Sequence, residues 1–254
     1  MDLGLNGKVA IVTGASSQIG FGKAIAFTLA KEGCNLIVSY NKNAKGAQET
    51  ADQIKDLGCA VITVKLDVRN SIDVQEMVRT AITHFGKIDI LVNNAGGPAG
   101  SPKPFIETTE DEWDMNIDLN LKGTLNCTKA VLAHMILSKY GKIINISSTC
   151  ARIGGVNVSV YSAAKAAVIT FTKGLAAEVA SQGINVNCVA PGYGMTDLLC
   201  NTPQEILDNM LQAVPLKRAI TPENIASAVA YLASDMSSDV IGQTLTVDGG
   251  LTMV

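Results

Sequence analysis

The pentapeptide "YSAAK" sets a phenol and a primary amine four residues apart, at Tyr161 and Lys165. On a helix that spacing puts both side chains on one face. Ala164, Ala167, Val168, Phe171 and Leu175 form an apolar stripe around them, so the pair is expected to be partly buried. An ammonium beside a phenol lowers the phenol's pKa from its ordinary value of about 10. That would give a proton donor and acceptor usable near neutral pH. An ordinary exposed ion-and-ring pair has the same spacing, so the motif needs further support. "IINISS" offers Ser148 at a strand end, where a hydroxyl can polarise a carbonyl oxygen or simply cap a turn. Asn120, in "DLNLKG", falls within a long helical pattern, where asparagine is mildly unfavourable.

A second group of residues suits a nucleotide. "VAIVTGASSQIGFGKAIA" runs from a hydrophobic strand through Gly14, Gly20 and Gly22 into a helix. Glycines permit close backbone approach, and a helix start presents free N–H groups to a pyrophosphate. A tight strand-to-helix turn explains the glycines equally well. After the next strand the chain reads Ser39-Tyr40-Asn41-Lys42, with no acid to bond a ribose 2′-hydroxyl. Lys42 and its neutral neighbours suit a 2′-phosphate, which favours NADP over NAD, unless Lys42 is only a solvated loop lysine. Asp67 in "VKLDVRN" could accept from an adenine amino group or cap the following helix, although Asn70 and Ser71 are better placed to cap. "LVNNAG", residues 91–96, ends another strand with amides and small residues beside a possible ribose.

The elements that must carry these residues alternate regularly. Strands are expected at Val9–Thr13, Asn35–Ser39, Val61–Leu66, Ile88–Val92, Lys142–Ile146, Asn185–Val189 and Thr244–Val247. Helices are expected near 22–32, 44–57, 71–85, 109–138, 161–181 and 222–234. This pattern predicts βαβ units with right-handed crossovers and a mostly parallel sheet. Thr109 with Glu112 reads as a capping box, and so does Thr202 with Glu205, with Pro203 at the first helical position. Thr221-Pro222 repeats the threonine-proline start, and Gly33 and Gly58 sit where helices should end. Two long connections, 96–105 and 191–218, follow strand ends, where open α/β sheets bind ligands.

Composition narrows the possibilities. The 254 residues are 47% hydrophobic and only 4% aromatic, with net charge −3, so an aliphatic core is expected. No basic run points to nucleic acid, no stretch is long and apolar enough to span a bilayer, and the N-terminus does not read as a secretory signal. Six scattered cysteines and two histidines show no metal-binding spacing and read as free thiols in a reducing cytoplasm.

Together the motifs resemble the short-chain dehydrogenase/reductase family from Lys8 to Gly250. They stand in the family's order: the glycine loop, "LDV", "NNAG", the helix asparagine, the strand-end serine, the Tyr-Lys pair, "PG…T" and a C-terminal "VDGG". The resemblance implies one doubly wound Rossmann domain over 1–254, with a seven-stranded parallel sheet and a lid around 193–217. It makes Tyr161 the acid/base, Lys165 its tuner and ribose ligand, Ser148 the holder of the substrate oxygen, and Asn120 the support of a water relay. It places Gly14, Ser16, Ser17, Gln18, Gly20, Phe21, Gly22, Tyr40, Lys42, Asp67, Val68, Asn94, Ala95, Gly96, Pro191, Gly192 and Thr196 around the cofactor. It also implies a homotetramer acting on a small carbonyl or alcohol substrate. The general likeness is to 3-oxoacyl-thioester reductases, and the apolar lid sequence suits a hydrophobic or acyl substrate. An NAD-linked hydroxysteroid, sugar or other alcohol dehydrogenase and a catalytically silent nucleotide-binding subunit are the alternatives.

One departure from the family stands out: five residues separate Gly14 from Gly20 where three are usual. Aligning Gln18-Ile19-Gly20 with the family's second glycine cluster would lengthen the helix. Aligning Gly20-Phe21-Gly22 puts the insertion in the loop, which absorbs extra residues more easily. The extra residues then fall in the Ser16–Ile19 stretch, where Ser16, Ser17 or Gln18 is expected to help hold a 2′-phosphate with Lys42.

Overall fold

The aliphatic runs become strands because both faces of each are covered. In the computed structural model, which describes residues 2–253, these are β1 (Val9–Val12), β2 (Asn35–Tyr40), β3 (Val61–Lys65), β4 (Ile90–Asn93), β5 (Gly141–Ile146), β6 (Ile184–Pro191) and β7 (Thr244–Val247). All pair in parallel in the order β3-β2-β1-β4-β5-β6-β7. Alternate residues feed two cores. Ala10, Val12, Leu36, Val38, Ile90 and Val92 meet α1 (Phe21–Lys31), α2 (Ala44–Lys55) and α10 (Pro222–Ala233). Val9, Ile11, Ile37, Leu91 and Ile143 meet α3 (Ser71–Phe85), α5 (Gly123–Ser138) and α7 (Ser159–Val179). This is the doubly wound α/β arrangement the alternation predicts.

The sheet also carries amides. Asn93 Nδ2 donates to Asn145 Oδ1 on the adjacent strand at 2.8 Å and to Thr128 Oγ1 on α5 at 2.9 Å. Asn145 Nδ2 in turn donates to Thr172 Oγ1 on α7 at 2.9 Å.

Helix starts follow the sequence signals with two exceptions. Glu112 accepts from the Thr109 N–H at 2.9 Å, closing the expected box, and Asn224 does the same for Thr221 at 3.1 Å. The expected Thr202 box is not how α9 (Gln204–Gln212) begins: Pro203 occupies the capping position and has no side-chain acceptor to offer. Nor is 109–138 one regular helix. α4 (Glu110–Ile117) passes into a π turn at Asp118–Lys122 before α5. Two short helices, α6 (Cys150–Ile153) and α8 (Asp197–Cys200), complete the connections after β5 and β6. The strand order reverses between β1 and β4, so the carboxyl ends of β1, β4, β5 and β6 open onto one crevice.

Candidate active site

At the floor of that crevice, Gly14 turns the chain with φ +69°, and a Cβ there would lie 3.0 Å from Ala95 Cα. Thr13 staples this turn to β4: its hydroxyl accepts from the Asn94 and Ala95 N–H groups at 3.0 and 2.9 Å. Asn94 returns the bond, donating through Nδ2 to the Thr13 and Gly14 carbonyls at 2.8 and 3.0 Å. Thr13 was not singled out from sequence, although a threonine before a strand-end glycine is the available signal. Helix α1 starts at Phe21 behind Gly20, with no side-chain cap and no acid in its first turn. Its free N–H groups therefore face the crevice with positive polarity. This helix start matches the Gly20-Phe21-Gly22 alignment and leaves the extra residues in the loop.

The lengthened loop is tied to the protein along its length. Asn43 Nδ2 donates to the Ser16 carbonyl at 2.7 Å, and Lys23 Nζ donates to Gln18 Oε1 at 2.8 Å. The Ser17 hydroxyl bonds to Asp197. The hydroxyl of Ser17 and the amide oxygen of Gln18 therefore have partners within the protein. Lys42 is exposed, and Tyr40 ends β2 packed against the core. Asp67 also has a partner within the protein. Arg69 donates to its carboxylate through Nε and Nη2, the latter at 2.6 Å, and this pairing holds the acid below the usual carboxylate range. Asn70 caps α3, accepting from the Ile72 N–H at 2.9 Å. The Val68 side chain is buried against Gly123, and its carbonyl accepts from Asn126 at 2.9 Å, so it serves the core.

The catalytic candidates converge where β5 meets α7. The Ser147 hydroxyl donates to the Lys165 carbonyl at 2.8 Å, fixing α7 against the strand end. Ser148, one residue on, accepts from the Cys150 N–H at 3.2 Å and stands near enough to the Tyr161 phenol to lower its pKa. Lys165 is buried with Nζ donating to the Ile146 carbonyl at 2.8 Å and lying 5.9 Å from the centre of the Tyr161 ring. The expected lowering of the phenol's pKa is reversed here. Burial pushes Tyr161 up to about 12 against the lowering effect of the neighbouring Ser148 hydroxyl, because little water reaches the ring to solvate a phenolate. The same burial pulls Lys165 down to about 8.

Asn120 sits in the π turn, which frees backbone carbonyls that its side chain then meets. Its Nδ2 donates to the Asn116 and Gly97 carbonyls at 2.9 and 3.0 Å, and its Oδ1 accepts from the Gly97 N–H at 2.9 Å. Asn116, four residues earlier and not singled out from sequence, holds Ala99 in the same way, with two bonds of 3.0 Å. The two amides strap the 96–100 loop to the helix. Gly96 matters for its bareness: a Cβ there would lie 2.7 Å from Asn120 Oδ1 and 3.0 Å from Lys165 Nζ. Asn120 therefore positions the loop through its side chain.

The sequence that builds this site has known relatives. A family model described as enoyl-(acyl carrier protein) reductase matches residues 14–252. The chain is 40% identical over 246 residues to a 3-oxoacyl-[acyl-carrier-protein] reductase FabG of Staphylococcus epidermidis, covering 97% of this chain and 99% of that protein. It is 41% identical over 250 residues to a 3-oxoacyl-[acyl-carrier-protein] reductase of Synechocystis, covering 98% of each. The chain belongs to the short-chain dehydrogenase/reductase family. It is accordingly an oxidoreductase that uses a nicotinamide cofactor.

The resemblance leads us to expect Pro191, Gly192 and Thr196 beside a nicotinamide. In the structure Pro191 ends β6, Thr196 precedes α8, and a Cβ on Gly192 would lie 2.6 Å from Asp248 Cβ. Asp248 belongs to the "VDGG" segment and accepts from Gly250 and Thr252, so that motif serves the turn packed against Gly192. Among the described residues no group of side chains suits a metal, all the cysteines described are free, and no helix is long and apolar enough to cross a membrane.

The depressed Lys165 pKa has a measurable consequence. Between about pH 8 and 10.5 the unfolded chain holds a proton on this amine that the folded chain has released, so its contribution to stability rises with pH. Relative to Lys165→Met, the wild type should gain on the order of 2 kcal/mol between pH 7 and 10. Denaturant unfolding of both proteins at the two pH values measures this, and an unchanged difference would show that the lysine titrates normally.

Proposed function

We propose that this chain is an NADP(H)-dependent reductase that converts a ketone to a secondary alcohol on a hydrophobic, acyl-thioester-type substrate. The observation that carries this reading is the Tyr161 phenol, kept protonated by burial, with Ser148 and the buried Lys165 close beside it at the carboxyl end of the sheet. A ketone carbonyl placed there would accept from both hydroxyls. Tyr161 then gives the developing alkoxide its proton, and Ser148 holds the same oxygen.

The crevice fits a dinucleotide. Gly14 and Gly96 let the turn after β1 and the loop after β4 pack closely at the crevice floor, and α1 offers an uncapped N-terminus for a pyrophosphate. Lys165 and Asn94 would hold the ribose next to the nicotinamide, which would supply the hydride when bound. The lack of an acid after β2, together with exposed Lys42 and the adjacent Ser16, supports a 2′-phosphate and hence NADP.

Two observations support the acyl substrate: the names of the relatives, and the lid. Helix α9 carries Ile206, Leu207, Met210 and Leu211 with none of its residues fully buried, leaving apolar surface for a ligand. We expect one domain acting within a homotetramer.

A panel of 3-oxoacyl thioesters, simple ketones and secondary alcohols, run with both cofactors, tests the reading. Acyl thioesters with NADPH should give the highest kcat/KM, at least about tenfold above NADH, the order of a lost charged hydrogen bond. A clear NADH preference would overturn the assignment of Lys42, and no turnover of any carbonyl would overturn the reductase.

A further inference from the structure

The residues that lengthen the glycine loop have an unexpected neighbour. The Ser17 hydroxyl bonds to the Asp197 carboxylate, and the Asp197 N–H donates to the Ile19 carbonyl at 2.8 Å. Beside them the Phe21 ring occupies the space a side chain at position 194 would need, since a Cβ on Gly194 would fall 2.3 Å from it. Three contacts thus join residues 17–21 to residues 194–197. The other end of the loop is equally fixed, by Asn43 on the Ser16 carbonyl and by Gly46, where a Cβ would lie 2.1 Å from the same oxygen.

Asp197 begins α8, the first helix of the lid. The root of the lid is held to the body between Tyr193 and Ile220: the Met195 N–H donates to the Ile220 carbonyl and the Ile220 N–H to the Tyr193 carbonyl, each at 2.9 Å. Beyond that root, α9 buries no residue fully, so little packing fixes its position. Ser17 also touches the start of α1, since a Cβ on Gly20 would lie 2.9 Å from its Oγ. A ligand seated at the α1 N-terminus therefore presses on the residue that holds the lid.

We propose that Ser17 and Asp197 are positioning residues that tie the lengthened glycine loop to the lid, so that seating the dinucleotide and placing the lid are one event. This rests on the dinucleotide reading above. The insertion gives the loop the reach, and the Asp197 carboxylate gives the lid a charged acceptor for a loop hydroxyl.

The test uses the full chain with NADPH as probe. Asp197→Ala and Ser17→Ala should each raise the Kd for NADPH by about five- to tenfold, the scale of one charge-assisted hydrogen bond in a partly exposed site. The double variant should be no weaker than the worse single one, because both remove one interaction. Asp197→Asn should recover most of the affinity, since its amide oxygen still accepts from Ser17. Hydrogen exchange over 197–212 should slow in the wild type when NADPH binds, and should not slow in Asp197→Ala at saturating NADPH. Additive losses, or lid protection retained in Asp197→Ala, would overturn the proposal while leaving the dinucleotide reading intact. A wild type that binds neither NADPH nor NADH would overturn both.

Discussion

Tyr161→Phe should lower kcat by about a thousandfold or more, within the range expected for removing a general acid, while Kd for the nicotinamide cofactor changes less than about threefold, as for a group that acts mainly in the transition state. The substitution keeps the ring and its packing and removes only the hydroxyl that Ser148 faces. A loss of cofactor binding comparable to the loss of rate would show that the phenol serves the ligand and not the proton. The pH dependence adds a second check. Burial holds the phenol protonated up to about 12, so reduction, which consumes a proton from it, should proceed without a pH-driven loss through neutrality. Alcohol oxidation needs the phenolate and should accelerate as pH rises. A reduction rate that falls steeply between pH 6 and 8 would contradict the assignment of Tyr161 as the acid.

Gly22→Val should be the most damaging change at the cofactor crevice. A Cβ on Gly22 would stand 2.4 Å from the Gly14 carbonyl oxygen and 2.6 Å from Asn94 Nδ2. Neither neighbour can withdraw cheaply. The first is backbone in a left-handed turn, and the second already bonds two carbonyls. Helix α1 would have to lift from the sheet, separating its N-terminus from the turn. Overpacking of this kind costs about 1–3 kcal/mol of stability, and cofactor affinity should fall by at least about a hundredfold, the equivalent of some 3 kcal/mol. Thermal unfolding and a binding titration on the same sample separate the two effects. A folded variant with unchanged affinity would show that the close fit of α1 to the turn is not needed. The milder Gly22→Ala, with the same Cβ and no branches, should fall between wild type and valine in both measurements.

These two sites show what could be read from the chain alone. The strands were legible because parallel strands covered on both faces need unbroken aliphatic runs, and the first two end near a residue that interrupts them, Gly14 and Asn43. Tyr161, Lys165 and Ser148 were legible as candidates because the helix spacing and the strand end bring them together. Less visible was what depends on enclosure. An i,i+4 lysine says nothing of which carbonyl will accept its hydrogen bond, and here the Ile146 carbonyl accepts it while burial drives the phenol upward. The π turn at Asp118–Lys122 was hidden for a similar reason: the one-residue shift it introduces leaves the apolar pattern almost unchanged. Asn116 gave only its spacing from Asn120. The engagement of Ser17 with Asp197 links residues far apart in the chain, and no local pattern could reveal it.

The amide ladder in the middle of the sheet bears on how the chain finds its register. β4 and β5 are apolar toward both layers, so a slipped pairing would still cover hydrophobic side chains and would lose little contact energy. Asn93 and Asn145 change that. They stand opposite one another in the native pairing, and the chain of donors runs on to Thr128 and Thr172 on separate helices. Shifting either strand would strand amides in the interior at about 1–3 kcal/mol for each unmatched group. The ladder therefore works as a check on alignment during folding: mispaired strands pay for it at once, and the correct pairing brings the Ser147–Ser148 end of β5 level with the Asn94 end of β4.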